Sequence, residues 1–103
     1  MADDASTYPA SVATARETVR IVNQRGLHAR ASAKFVNAVA RLPEGLEVRV
    51  LKDGTEANGA SILGLMMLGA AKGANVDIVV TGPDAEAVLL KLAGLVKDGF
   101  GED

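Results

Sequence analysis

The chain has no cysteine and no tryptophan, and only one histidine, one tyrosine and two phenylalanines. Without cysteine there is neither a disulfide nor a thiolate-ligated metal. A single histidine rules out a multi-histidine metal site within a monomer, so no metal is expected. With so few aromatics and 49% apolar residues, the core has to be built from Val, Leu, Ile, Ala and Met. Basic charge is not in excess either: 11 Lys and Arg stand against 13 Asp and Glu, a net charge of −2. That balance argues against nucleic acid or an acidic membrane as the main partner. No run approaches the roughly twenty apolar residues of a membrane span. The first residues have neither a basic start nor an apolar centre, so no secretory signal and a cytoplasmic location are expected.

What is present fits one compact domain of 103 residues. Residues 1–15 show no sustained period and are expected to form a flexible N-terminal tail. Residues 16–98 form the domain, and the glycine-containing residues 99–103 are expected to fray. Within the domain, residues 18–22 alternate polar and apolar with Val19 and Ile21 on one face, a half-buried strand. Phe35, Val36, Val39 and Ala40 form a helical stripe over residues 29–41, with Ser32 a turn earlier. Residues 46–50 alternate as a second strand, and Asp53-Gly54 is a hairpin signal into a short third strand at 55–57. A short helix follows over 61–68 and a last strand over 76–80. Gly82-Pro83-Asp84 opens a final helix with proline in its first turn, whose buried stripe is Ala85, Val88, Leu89, Leu92, Leu95 and Val96. The order β-α-β-β-α-β-α with alternating strands describes an α+β two-layer sandwich.

The stretch Asn23-Gln24-Arg25-Gly26-Leu27-His28-Ala29-Arg30-Ala31-Ser32 lies where the first strand hands over to the first helix. It holds the only histidine, behind a glycine that permits a tight turn. The first N–H groups of a helix lack intrahelical partners and carry the positive end of its dipole, which favours an anion such as phosphate. His28 there is either a cap or solvated residue, or an imidazole nucleophile beside a phosphate cradle. Arg30 adds a planar fork suited to phosphate oxygens, and Arg25 is a weaker candidate for the same role.

The run Gly-Leu-His-Ala-Arg-Ala-Ser resembles the phosphorylation-site motif of the HPr family, the histidine-containing phosphocarriers of the bacterial phosphoenolpyruvate-dependent phosphotransferase system. The resemblance extends from about Glu17 to Val96. Ala31 departs from the proline that many members carry after the arginine. The resemblance implies a four-stranded antiparallel sheet covered on one face by three helices, with the His28 loop and second helix close together at one end. It further implies that phospho-enzyme I loads a ring nitrogen of His28 (Nδ1 in the family), and that the carrier, acting as a monomer, passes the group to an EIIA-type acceptor. The setting is sugar uptake or nitrogen-linked regulation. Arg30 is expected to orient the phosphate, with the Ala29 and Arg30 amides as donors. No cofactor is implied, and such a protein is a carrier rather than an enzyme, because it is consumed and regenerated as a substrate.

Asn58-Gly59-Ala60-Ser61-Ile62-Leu63-Gly64-Leu65-Met66 resembles the regulatory-serine region of the same family, where an HPr kinase/phosphorylase acts in some bacteria. Ala60 departs from the polar or basic residue often found there. By residue type, Ser61 is a helix N-cap; by resemblance, it is also a phosphorylation site whose added charge disturbs docking. Spacing assigns Leu65, Leu68 and Gly69 to the core. It leaves Ile62, Leu63 and Met66 as an exposed docking patch near His28, the alternative being that all the helix's apolar residues are buried. Two other classes stay open at this point: a regulatory binding module of the same fold that works through that patch without His28, and a small-ligand-binding α+β domain.

Overall fold

The computed structural model describes residues 12–102. Residues 1–11, most of the expected tail, and Asp103 lie outside the described residues. Four strands form one antiparallel sheet: β1 (Val12–Arg20), β2 (Glu47–Lys52), β3 (Thr55–Asn58) and β4 (Asn75–Pro83), in the spatial order β1-β4-β2-β3. Three helices, α1 (Ala29–Ala40), α2 (Ile62–Met67) and α3 (Ala85–Lys97), cover one face, and a 3-10 turn (Gly99–Gly101) follows α3.

Alternation places Ala15, Val19, Val48, Val50, Ala57, Val76, Ile78 and Val80 in the layer beneath the helices. Opposite them come Phe35 from α1, Leu65 from α2 and Val88, Leu89, Leu92 and Val96 from α3. The interior is nearly filled: a void of only about 10 Å3 lies among Ile21, Leu27, Phe35, Leu65 and Ile78. That is at the lower limit for one water molecule, so this void among the described residues has no room for a metabolite. The turn at Asp53 and Gly54 has positive φ at both residues (51° and 82°), the type I′ geometry that matches the twist of a β2–β3 hairpin.

Three expectations are corrected. β1 starts at Val12 rather than at residue 18, so residues 12–15, assigned to the tail, are in the sheet, opposite Pro83 to Val80. The small Ala13 and Ala15 gave the segment too weak an alternation to register as a strand. Pro83 is not in the first turn of the last helix; it is the final residue of β4, opposite Val12, and Asp84 with φ 57° makes the corner into α3. Third, residues 99–101 do not fray but form the 3-10 turn, with Phe100 only 1% exposed. Asp98, Gly99 and Phe100 turn the chain back, and Phe100 is buried in the same cluster as the helices.

Candidate functional site

The loop between β1 and α1 is fixed before it reaches His28. Gly26 N–H donates to Asn23 O at 3.2 Å, closing a turn, and the buried Asn23 side chain donates to Gly26 O at 2.9 Å. Leu27 N–H then donates to Ala70 O at 2.9 Å, which ties the loop to the segment leaving α2. Gly26 has φ +64°, and a Cβ there would lie 2.3 Å from Ala70 O. Only glycine meets both the left-handed backbone and the close approach. The His28 loop and the α2 region therefore share one end of the molecule.

His28 is the N-cap of α1, with an extended backbone (φ −77°, ψ −177°). Its Nδ1 accepts the Arg30 N–H at 3.2 Å, the capping role more often taken by Ser or Asp. Its Nε2 lies 3.2 Å from Glu102 Oε1, a carboxylate 74 residues away in sequence. Since Nδ1 accepts, Nε2 bears the proton and donates it to Glu102. Asn23 Nδ2 donates to the same Oε1 at 3.2 Å, and Lys34 Nζ donates to Phe100 O at 2.7 Å, fixing the 3-10 turn against α1. The hydrogen bond from His28 holds the Glu102 carboxyl below the usual glutamate range; desolvation works against this and the Asn23 bond adds to it. An open cavity of about 430 Å3 lies over the ring, lined by Gln24, Arg25, His28, Arg30, Lys34, Gly101 and Glu102. Three cationic side chains, Arg25, Arg30 and Lys34, line this cavity together with the imidazole.

The residues singled out in the sequence are thus brought together in part. His28, Ala29 and Arg30 form the first turn of α1 and its cap, and Arg25 lines the same cavity. Ser61 is the N-cap of α2, its Oγ accepting the Gly64 N–H at 2.9 Å. Leu65 and Leu68 are buried, whereas Ile62, Leu63 and Met66 are 41, 67 and 40% exposed and Met67, which spacing left unassigned, is 74% exposed. Gly69, placed in the core by spacing, is exposed. Glu102, Asn23 and Lys34 were not singled out. One signal for the first existed: a phenylalanine beyond the last helix, in a chain with two, marks a buried anchor, and Glu102 stands two residues after it.

Among the described residues no group of three His, Cys, Asp or Glu side chains is placed to hold a metal, and no helix is long and apolar enough to cross a membrane.

This architecture and sequence match known proteins. The profile of PTS-HPr, described as the PTS HPr component phosphorylation site, matches residues 15–98. The phosphocarrier protein HPr of Neisseria meningitidis is 40% identical over 87 residues, 84% of this chain and 96% of that protein. The phosphocarrier protein NPr of Escherichia coli K12 is 38% identical over 93 residues, 87% of this chain and 99% of its own. The structure of HPr-C-His from Thermoanaerobacter tengcongensis superposes with a TM-score of 0.79 at 35% identity, covering 86% of this chain and 98% of that one. That of HPr from Bacillus anthracis gives 0.75 at 34% identity, covering 82% and 98%. The chain belongs to the HPr family of the phosphotransferase system, proteins that carry a phosphoryl group rather than enzymes that turn over a substrate.

Proposed function

We propose that this carrier accepts a phosphoryl group on Nδ1 of His28 from enzyme I, itself charged by phosphoenolpyruvate, and passes it to an EIIA-type protein. The observation that supports this most is the placement of the ring: its Nδ1 accepts the Arg30 N–H at a helix N-terminus, within a cavity lined by Arg25, Arg30 and Lys34. The lone pair rests on the Arg30 N–H. A small rotation of the ring points it at phosphorus instead, and frees that N–H to meet a phosphoryl oxygen. Ala29 and Arg30, the first two residues of α1, then present amides without intrahelical partners, and the Arg30 guanidinium orients the oxygens. The helix terminus favours a nearby charge by only about 0.3–1 kcal/mol, so the group is held without being trapped. A carrier has to release what it takes up.

Docking is assigned to the exposed apolar residues Ile62, Leu63 and Met66, whose adaptable methionine suits several partners. Ser61, at the edge of that patch, is assigned as a site for an HPr kinase/phosphorylase. A phosphate there adds about two negative charges at the apolar surface and disfavours docking. The carrier works as a cytoplasmic monomer. Similarity to an HPr and an NPr at nearly equal identity supports either a sugar-uptake or a nitrogen-linked role.

The test is incubation with enzyme I and phosphoenolpyruvate, followed by intact mass, with H28A in parallel. The native chain gains one acid-labile phosphoryl group and H28A gains none. If H28A is labelled equally, His28 is not the acceptor. If an enzyme I of proven activity labels neither, the carrier reading gives way to a regulatory module acting through the α2 patch.

A further inference from the structure

The carboxylate on the far edge of the imidazole has no part in the transfer as derived so far, yet it is held with care. Glu102 Oε1 lies 3.2 Å from His28 Nε2 and 3.2 Å from Asn23 Nδ2, while Asn23 is fully buried and bonded to Gly26 O. The Glu102 side chain is 16% exposed and the His28 side chain 22%. The backbone that delivers the carboxylate is fixed by the buried Phe100 and by Lys34 on Phe100 O.

We propose that Glu102 is a positioning residue for His28: its carboxylate holds the proton on Nε2, so that Nδ1 keeps the lone pair, and it balances the charge of the ring once Nδ1 is phosphorylated. The proposal rests on the carrier reading given above. In the loading step the Nδ1 lone pair forms the new N–P bond while the bond from phosphorus to the donor breaks, its electron pair leaving with the donor. The Nε2 proton stays in place throughout, hydrogen-bonded to Glu102, and no proton passes to the carboxylate. The ring of the product carries a positive charge beside the phosphoryl anion, and Glu102 neutralises it from the opposite edge. Unloading reverses these events: the same charge balance moderates how readily the imidazole leaves. A carboxylate behind an imidazole fixes the tautomer in this way in other His-based sites. What distinguishes this one is that the carboxylate comes from beyond the last helix, after a buried anchor, so the tautomer depends on the docking of residues 99–102.

The arrangement predicts different behaviour for two substitutions. In E102A the ring loses its acceptor, only the Arg30 N–H on Nδ1 still favours the Nε2–H tautomer, and the other tautomer gains population. In E102Q the buried Asn23 amide selects the Gln oxygen, the same position as Oε1, so the Nε2–H tautomer is kept while the charge is lost. The experiment is long-range 1H–15N NMR of the His28 ring in the native chain, E102A and E102Q, at a pH where the ring is neutral, with the initial rate of labelling by phospho-enzyme I measured on each. The native chain and E102Q are expected to show predominantly the Nε2–H tautomer. E102A is expected to shift the tautomer ratio by about tenfold or more, as loss of a charge-assisted bond implies, and to load several-fold more slowly, with E102Q between it and the native chain. An unchanged tautomer ratio in E102A overturns the proposal, as does a shifted ratio with an unchanged loading rate. The NMR arm needs no partner protein. Failure of enzyme I to label even the native chain therefore overturns the carrier reading, while the ring spectra still decide whether Glu102 sets the tautomer.

Discussion

Replacement of Phe100 by alanine tests the least expected part of the fold and its link to the site together. Phe100 is 1% exposed, belongs to the buried cluster and follows the end of α3 by three residues. A buried phenylalanine removes about 150–250 Å2 from water, which at about 25 cal/mol per Å2 amounts to about 4–6 kcal/mol. Phe→Ala substitutions in cores cost about 3–5 kcal/mol. Phe100 lies in a short 3-10 turn outside the helices, which can shift rather than leave a cavity, so the lower end applies, about 3 kcal/mol. At about 4–8 °C per kcal/mol for a domain of this size, the midpoint falls by at least about 12 °C. Phe100 also has φ +59°, a left-handed backbone that costs a non-glycine residue about 1–2 kcal/mol. F100G therefore recovers part of the loss that F100A shows, the reverse of the usual order for these two residues. The assay is urea or thermal denaturation of the native chain, F100A and F100G, with the His28 ring spectrum recorded on each. If F100A lowers stability by less than about 1 kcal/mol and leaves the ring tautomer unchanged, residues 99–102 are not held by Phe100 and the account of the chain end is wrong.

Three further predictions follow from other contacts. G26A places a Cβ 2.3 Å from Ala70 O on a φ of +64°, so it is expected to cost more than the roughly 1–2 kcal/mol of backbone strain alone; urea midpoints and the labelling rate of His28 should fall together. S61A removes the acceptor for the Gly64 N–H and is expected to cost about 1 kcal/mol. S61D keeps a capping oxygen, so its stability stays close to native while its labelling by enzyme I slows, which separates docking from folding in one comparison. Asp77 is held below the ordinary aspartate range first by the Thr18 hydroxyl at 2.6 Å and then by Arg16 at 2.6 Å. Its folded value lies below its unfolded one, so the stability it contributes is fully present above about pH 4 and is lost as the pH falls through the folded value. Denaturation from pH 7 to 2 should therefore show D77N less stable than the native chain at neutral pH, with the gap closing in acid; a gap that does not depend on pH contradicts this.

The residues that made the fold legible were those whose pattern repeats over a whole element. Leu46 to Val50 and Val76 to Val80 alternate with large side chains, and the period of α3 recurs through Val88, Leu89, Leu92 and Val96, all of them buried. Where a strand is built from small residues the signal fails, as at Ala13 and Ala15, which pair with Gly82 and Val80 although nothing in their size demands it. Pro83 misled for a related reason. Proline suits the first turn of a helix, but it is also tolerated where a strand runs past one of its neighbours: the pairing of β4 with β2 stops at Thr81, and only the register with Val12 places Pro83 in the sheet.

The site divides along the same line. His28, Ala29 and Arg30 are consecutive, so local geometry alone puts them at one helix terminus. The exposure of Ile62, Leu63 and Met66 also followed from spacing, because a helix of six residues cannot bury six apolar neighbours on one side. Glu102 is different. It reaches His28 only because α3 ends beside α1 and Phe100 turns the chain inward, a long-range consequence of packing that no motif carries. The glycines at 99 and 101 suggested fraying, yet both have positive φ and form the turn around Phe100.

The measurement that tests the account most directly is the chemical site of the phosphoryl group on the loaded carrier. After labelling by enzyme I and phosphoenolpyruvate, 15N and 31P NMR of the His28 ring distinguishes the two nitrogens. The account predicts phosphorus on Nδ1 with the proton retained on Nε2 facing Glu102. Phosphorus on Nε2, or on any residue other than His28, would contradict it.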